Sequence, residues 1–101
     1  MEFNKIVRDR IPEIIENEGG KAITRILNEV EYAHCLETKL DEEVAEYHGS
    51  KEIEELADVL EVVYALAELR GHSVAELEEA YQKKHEARGG FKDRVFLIRR
   101  D

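Results

Sequence analysis

The chain has 101 residues, a formal net charge of −9, and 39% charged against 43% hydrophobic residues. This is enough for one domain, spanning residues 1–101, with one modest core. The apolar share excludes a disordered acidic tail, and the negative charge argues against duplex nucleic acid as a partner, because phosphates need a basic surface. A single cysteine, Cys35, rules out an intrachain disulfide and fits a reducing compartment. No run approaches the roughly 20 apolar residues of a membrane span, and the polar start shows no signal peptide. The expected location is therefore the cytoplasm, with no membrane partner.

Phe3 to Val7 reads as a short extended run. Pro12 then sits just inside a short helix, where a missing N–H costs nothing. That helix carries Ile11, Ile14 and Ile15 inward and stops at Gly19-Gly20. Residues 21–27 alternate only loosely, so a short strand and an irregular link are equally consistent.

Asn28 followed by Glu31 forms a capping box that opens the second helix. Ala33, Leu36, Leu40, Val44 and Tyr47 recur at 3–4 spacing and define its buried stripe. At about 100° per residue, Glu43 lies roughly 60° from Leu40, at the stripe's margin, with Glu46 further round on the same side. Glu42 points nearly opposite. Gly49 ends this helix and Ser50 caps the next.

The third helix, 51–70, carries two apolar stripes. One comprises Ile53, Leu56, Ala57, Leu60, Val63, Tyr64 and Ala67, and reads as plain core. The other runs through Val59, Val62, Leu66 and Leu69, and extended downward it meets Glu55 and Asp58. A helix apolar on two sides is buried on two sides. The second stripe is therefore the expected interface of a homodimer or higher homo-oligomer.

Gly71 ends the third helix, and Ser73 with Glu76 forms a second capping box. Val74, Leu77 and Tyr81 are the fourth helix's core face, with Lys84 and Arg88 continuing it. Gly89-Gly90-Phe91 closes the helix, and residues 95–98 read as a short strand or a docked tail. The expected fold is a mainly all-α antiparallel helical bundle, with short terminal strands allowed.

Glu43 and Glu46 precede the turn between the second and third helices, and Glu55 and Asp58 follow it. Each pair is spaced i, i+3 and shares a helix face. In an antiparallel hairpin all four carboxylates converge, which suits a hard divalent cation. The competing reading is that they pair with Lys or Arg. From Asn28 to Glu79, however, sixteen acidic residues face only Lys39, Lys51 and Arg70. Basic residues gather instead near the two ends. The four histidines show no zinc-helix pairing.

Glu42-Glu43-Val44-Ala45-Glu46 followed by Glu55-Leu56-Ala57-Asp58 resembles the EExxE…ExxD signature of the all-α nucleoside triphosphate pyrophosphohydrolases, the MazG-like superfamily. Lys5-Ile6-Val7-Arg8-Asp9-Arg10-Ile11-Pro12 and Arg88-Gly89-Gly90-Phe91 resemble a small single-domain branch whose members are often labelled phosphoribosyl-ATP pyrophosphohydrolase-like. The resemblance implies Mg²⁺-dependent hydrolysis of a nucleotide substrate between its α and β phosphates, with Mn²⁺ as an alternative ion. It implies Glu43, Glu46, Glu55 and Asp58 as metal ligands, with Glu42 and Glu43 as catalytic carboxylates. Lys5, Arg8, Lys84 and Arg88 are the expected phosphate contacts. The alternatives are a true phosphoribosyl-ATP hydrolase and a non-catalytic module that binds metal or nucleotide.

Overall fold

The computed structural model describes residues 4–101. Four helices follow in order: α1 (Ile11–Asn17), α2 (Glu29–Ser50), α3 (Ile53–Leu69) and α4 (Val74–Arg88). The fold is all-α, and no strand occurs among the described residues. No helix among them is long and apolar enough to cross a membrane. Phe3, the start of the expected extended run, lies outside the described residues.

Both anticipated capping boxes form. The Asn28 side chain accepts from the Glu31 backbone N–H at 2.9 Å, and Glu31 in turn accepts from the Asn28 N–H at 3.2 Å. Ser73 and Glu76 repeat the arrangement at 3.1 Å in each direction. Two orphan N–H groups are thereby satisfied at each helix start, which fixes where α2 and α4 begin.

The α2–α3 turn departs from expectation. Gly49 and Ser50 lie inside α2, and Lys51 ends it in a left-handed conformation, φ 61°, with its N–H on the Tyr47 carbonyl at 2.8 Å. The Lys51 ammonium stands 5.2 Å from the centroid of the Tyr47 ring, an attraction that helps hold a lysine where glycine is favoured. Glu52, not Ser50, is the N-cap of α3. It has no side-chain cap, while the Ser50 hydroxyl accepts from the Glu52 N–H at 3.2 Å.

The tight turn folds α3 back along α2, and α4 packs more lightly on α3. The Tyr64 hydroxyl donates to Glu78 at 2.7 Å and ties α4 down; Arg70 reaches back to Glu37 of α2 at 2.9 Å. On α3 the packed face is rotated from the one the apolar pattern suggested, whereas on α2 the expected stripe largely holds, with Leu36 buried and Ala33, Leu40 and Tyr47 half-buried. On α3 it is Val62 that is buried, with Val59, Leu66 and Leu69 half-buried beside it, while Ile53, Leu56 and Leu60 are exposed at 70%, 45% and 47%. On α2, Leu36 and Glu43 are the buried residues and Val44 is exposed. The hairpin therefore packs on the faces that carry Glu43, Glu55 and Asp58. The stripe read as plain core is left uncovered at its lower end. The stripe read as an oligomer interface is covered within the chain.

The terminal segments pack on little. Ile11 and Ile15 of α1 are half-covered, but Ile14 is exposed, and α1 makes no packing interface with α2, α3 or α4. Residues 21–28 form an irregular link with Ile23 and Ile26 exposed, and the expected C-terminal strand is instead an exposed tail bearing Phe91 and Val95 to Ile98. The radius of gyration is 17.8 Å, against about 13 Å for a compact chain of this length.

Candidate metal centre

Glu43 and Glu46 project from the second half of α2, and Glu55 and Asp58 from the first turns of α3. One oxygen from each of the four carboxylates lies within 4.8 Å of every other. The hairpin thus brings together all four residues expected as ligands. Their environments differ: Glu43 is buried, Glu55 and Asp58 are half-buried, and Glu46 is exposed.

Glu43 is the informative member. It is 6% exposed, the only buried charged residue described, and its Oε2 is buried with no hydrogen-bond partner. A buried acceptor without a donor costs about 1–3 kcal/mol, and more when charged. The other oxygen, Oε1, lies 3.1 Å from the Lys39 ammonium. Lys39 also approaches Glu42 at 3.8 Å. At the rim, Arg8 donates to Asp58 Oδ1 at 2.6 Å across fifty residues of sequence.

Lys39 and Arg8 pair with Glu43 and Asp58, and repulsion among the carboxylates remains. It is legible at Glu46, whose carboxyl is pushed above the usual carboxylate range. The Glu43 charge is the main cause, with desolvation next and the Glu55 charge after it. A cluster of this charge and oxygen content can hold a divalent cation.

Next to the carboxylates is a cavity of about 250 Å³, bounded by α2, α3 and residues 6–9. Arg8, Lys39, Glu43 and Asp58 all line it. Of the residues expected to contact phosphate, Arg8 lines this cavity. Lys5, Lys84 and Arg88 are exposed and line no part of this cavity. Glu42 is half-buried and stands outside the four-carboxylate cluster, linked to it through Lys39. Lys39 is the site residue that reasoning from sequence missed. Its position four residues before Glu43 was the available signal, because i, i+4 neighbours share a helix face.

No family model matches the chain, and no solved structure matches it. An uncharacterized protein of Mycolicibacterium smegmatis (strain ATCC 700084 / mc(2)155) is 52% identical over 46 residues, which cover 46% of this chain and 47% of that protein. The chain thus spans about half the length of the curated relative it matches. The likeness carries no activity with it.

Proposed function

We propose that this chain is a metal-dependent nucleoside triphosphate pyrophosphohydrolase of the MazG-like all-α type, cleaving between the α and β phosphates. The observation that carries the reading is the orphaned, buried Oε2 of Glu43 within a ring of three further carboxylates. The Lys39 ion pair engages Oε1 alone and leaves this oxygen without a donor. A cation ligand would use it.

Ligand oxygens around Mg²⁺ stand 2.0–2.1 Å from the ion, so opposed ones are about 4.2 Å apart. The 4.8 Å spread of the four carboxylates is wider by about 0.6 Å. Mn²⁺, which shares the preference for oxygen ligands, is the natural substitute. When bound, the ion supplies charge neutralisation at the phosphate oxygens and a site for the attacking water.

The chain's own residues do the remaining work. In the hydrolysis, the water oxygen bonds to the α-phosphorus, the bridge to the β-phosphate breaks, and its electron pair leaves with pyrophosphate. The water proton passes to a carboxylate. Glu42 is assigned that role because it stands outside the ligand cluster, held only by a 3.8 Å approach to Lys39. Arg8 and Lys39, which now pair with Asp58 and Glu43, would be free to meet the phosphate oxygens if those carboxylates held a cation. Arginine provides the forked grip and lysine the point charge.

The same reading includes self-association. The accessible surface of the single chain is 9267 Å², against about 5,900 Å² for a globular monomer of this mass. Ile53, Leu56 and Leu60, spaced three and four apart as in a coiled-coil seam, stand uncovered on α3, and Val44 of α2 is exposed as well. A second copy of the chain presenting the same face is the occupant proposed here.

The test is pyrophosphate release from a panel of ribo- and deoxyribonucleoside triphosphates and phosphoribosyl-ATP, with Mg²⁺ or Mn²⁺. Release that requires the ion and is lost in Glu55→Gln supports the reading. Full activity in Glu55→Gln would remove the metal assignment, and no release from any nucleotide would leave a binding module in its place.

A further inference from the structure

We propose that the cavity between α2, α3 and residues 6–9 is a nucleoside cradle, selecting a base that offers N–H donors along its pairing edge. The inference rests on the nucleotide reading above and extends it to the half of the substrate that the carboxylates do not touch.

The cavity, at about 250 Å³, falls just below the roughly 300–1,000 Å³ of small-molecule sites, so it suits one nucleoside and not two. Its charged end holds Glu43, Asp58, Arg8 and Lys39, and from there it climbs between the helices away from the α2–α3 turn. Along α3, Glu68 lies ten residues beyond Asp58; along α2, Tyr32 lies eleven before Glu43. At 1.5 Å per residue these are spans of about 15 and 16 Å, room for a phosphate, a sugar and a base in succession.

The lining changes character in the order such a ligand requires. The middle is floored by Leu36 and Val62, the two buried hydrophobic residues described, with Ala65 beside them. A base can lie on that floor, and the Tyr32 ring at the far end supplies an aromatic face for stacking. Every Lys or Arg among the described lining residues is at the charged end. The far end offers an acceptor, Glu68, whose side chain takes part in no ion pair among the described residues. Glu61, one turn beyond Asp58 on α3, lines the stretch between, where a sugar hydroxyl can donate to a carboxylate. Guanine, whose N1–H and exocyclic amino group stand side by side, matches Glu68, whereas cytosine sets its N3 and carbonyl acceptors beside a lone amino group. Uracil, whose single imino group lies between two carbonyls, sets oxygen against carboxylate.

The experiment is a calorimetric titration of the full chain with guanosine, cytidine and uridine monophosphates in the presence of Mg²⁺. Guanosine monophosphate is expected to bind about tenfold more tightly than the cytidine and uridine compounds, as one additional hydrogen bond to a charged group allows. Glu68→Gln, an exposed change that leaves packing alone, should reduce that preference to about twofold while Mn²⁺ binding stays as in wild type. Tyr32→Ala should weaken all three about fivefold or more, with helical content checked by circular dichroism. Equal affinities in the wild type, a preference that survives Glu68→Gln, or no binding of any monophosphate overturns the cradle. Pyrophosphate release from the matching triphosphates is measured alongside. Release without base preference sinks the cradle alone; binding with the expected preference but no release sinks the hydrolase reading alone.

Discussion

Replacing Glu43 by Gln should stabilise the metal-free protein and destabilise the metal-loaded one. The side chain is almost fully buried, with one oxygen unpartnered and the other 3.1 Å from Lys39. Removing an unsatisfied buried acceptor charge returns about 1–3 kcal/mol. Losing the Lys39 pair costs about 0.2–0.5 kcal/mol, and less because lysine before glutamate is the weaker orientation on a helix. The net gain is about 1 kcal/mol, or some 4–8 °C in Tm for a domain of this size. A metal at one hundred times its Kd stabilises the wild type by about 2.7 kcal/mol. The variant, short of its best-positioned ligand, should gain little. Melting curves of both proteins in chelator and in saturating Mn²⁺ should therefore cross, the wild type ending about 1.7 kcal/mol ahead. If Glu43→Gln melts lower in chelator, Glu43 is a structural partner of Lys39 and the reasoning fails. Equal gains from Mn²⁺ in the two proteins would refute it as well.

Three further predictions follow from the same geometry. Arg8→Ala should bind Mn²⁺ about two- to fivefold more tightly, since a half-exposed ion pair to Asp58 worth about 0.5–1 kcal/mol no longer competes, while KM for the nucleotide rises; titration and steady-state kinetics read the two opposite effects. Leu56→Asp should shift the chain toward monomer in sedimentation without loss of helical content, because Leu56 sits on the uncovered face of α3; an unchanged mass would discard that interface. Glu31, paired with Arg25 at 2.7 Å and with the Asn28 N–H, titrates at about 2, well below the ordinary 4.5. A depressed carboxylate stabilises the folded form above its ordinary value, and that contribution fades as pH falls through about 2. Glu31→Gln should accordingly flatten the stability profile over that acid range, as thermal melts will register.

Much of the fold is legible in the residues themselves. Asn28 with Glu31 and Ser73 with Glu76 mark two helix starts, because the local side chain-to-backbone bonds that define a cap are written in four consecutive residues. The four-carboxylate cluster is legible for a similar reason: an i, i+3 spacing on each side of a tight hairpin leaves few other arrangements. Helix rotation is harder to read. Apolar patterning places Val44 inward on α2 and Ile53, Leu56 and Leu60 inward on α3. The hairpin instead packs on its polar-bearing faces and leaves much of the more apolar side open. Periodicity reports that a helix has two apolar sides but not which of them meets its own chain and which a partner. The turn misled for another reason. Gly49 is an ordinary stop signal, yet Lys51 accepts the left-handed position, with Tyr47 beneath its ammonium. Lys39 and Arg8 reach their carboxylates through long side chains, so their roles emerge only with the tertiary arrangement.

The central claim is that this chain hydrolyses the α–β phosphoanhydride of a nucleotide at the Glu43, Glu46, Glu55 and Asp58 centre. Phosphorus-31 NMR of the products formed from a turned-over triphosphate with Mg²⁺ tests it most directly. The account predicts nucleoside monophosphate and pyrophosphate in equal amounts, with neither signal growing in Glu55→Gln; nucleoside diphosphate with orthophosphate, or unchanged triphosphate in the wild type, would contradict it.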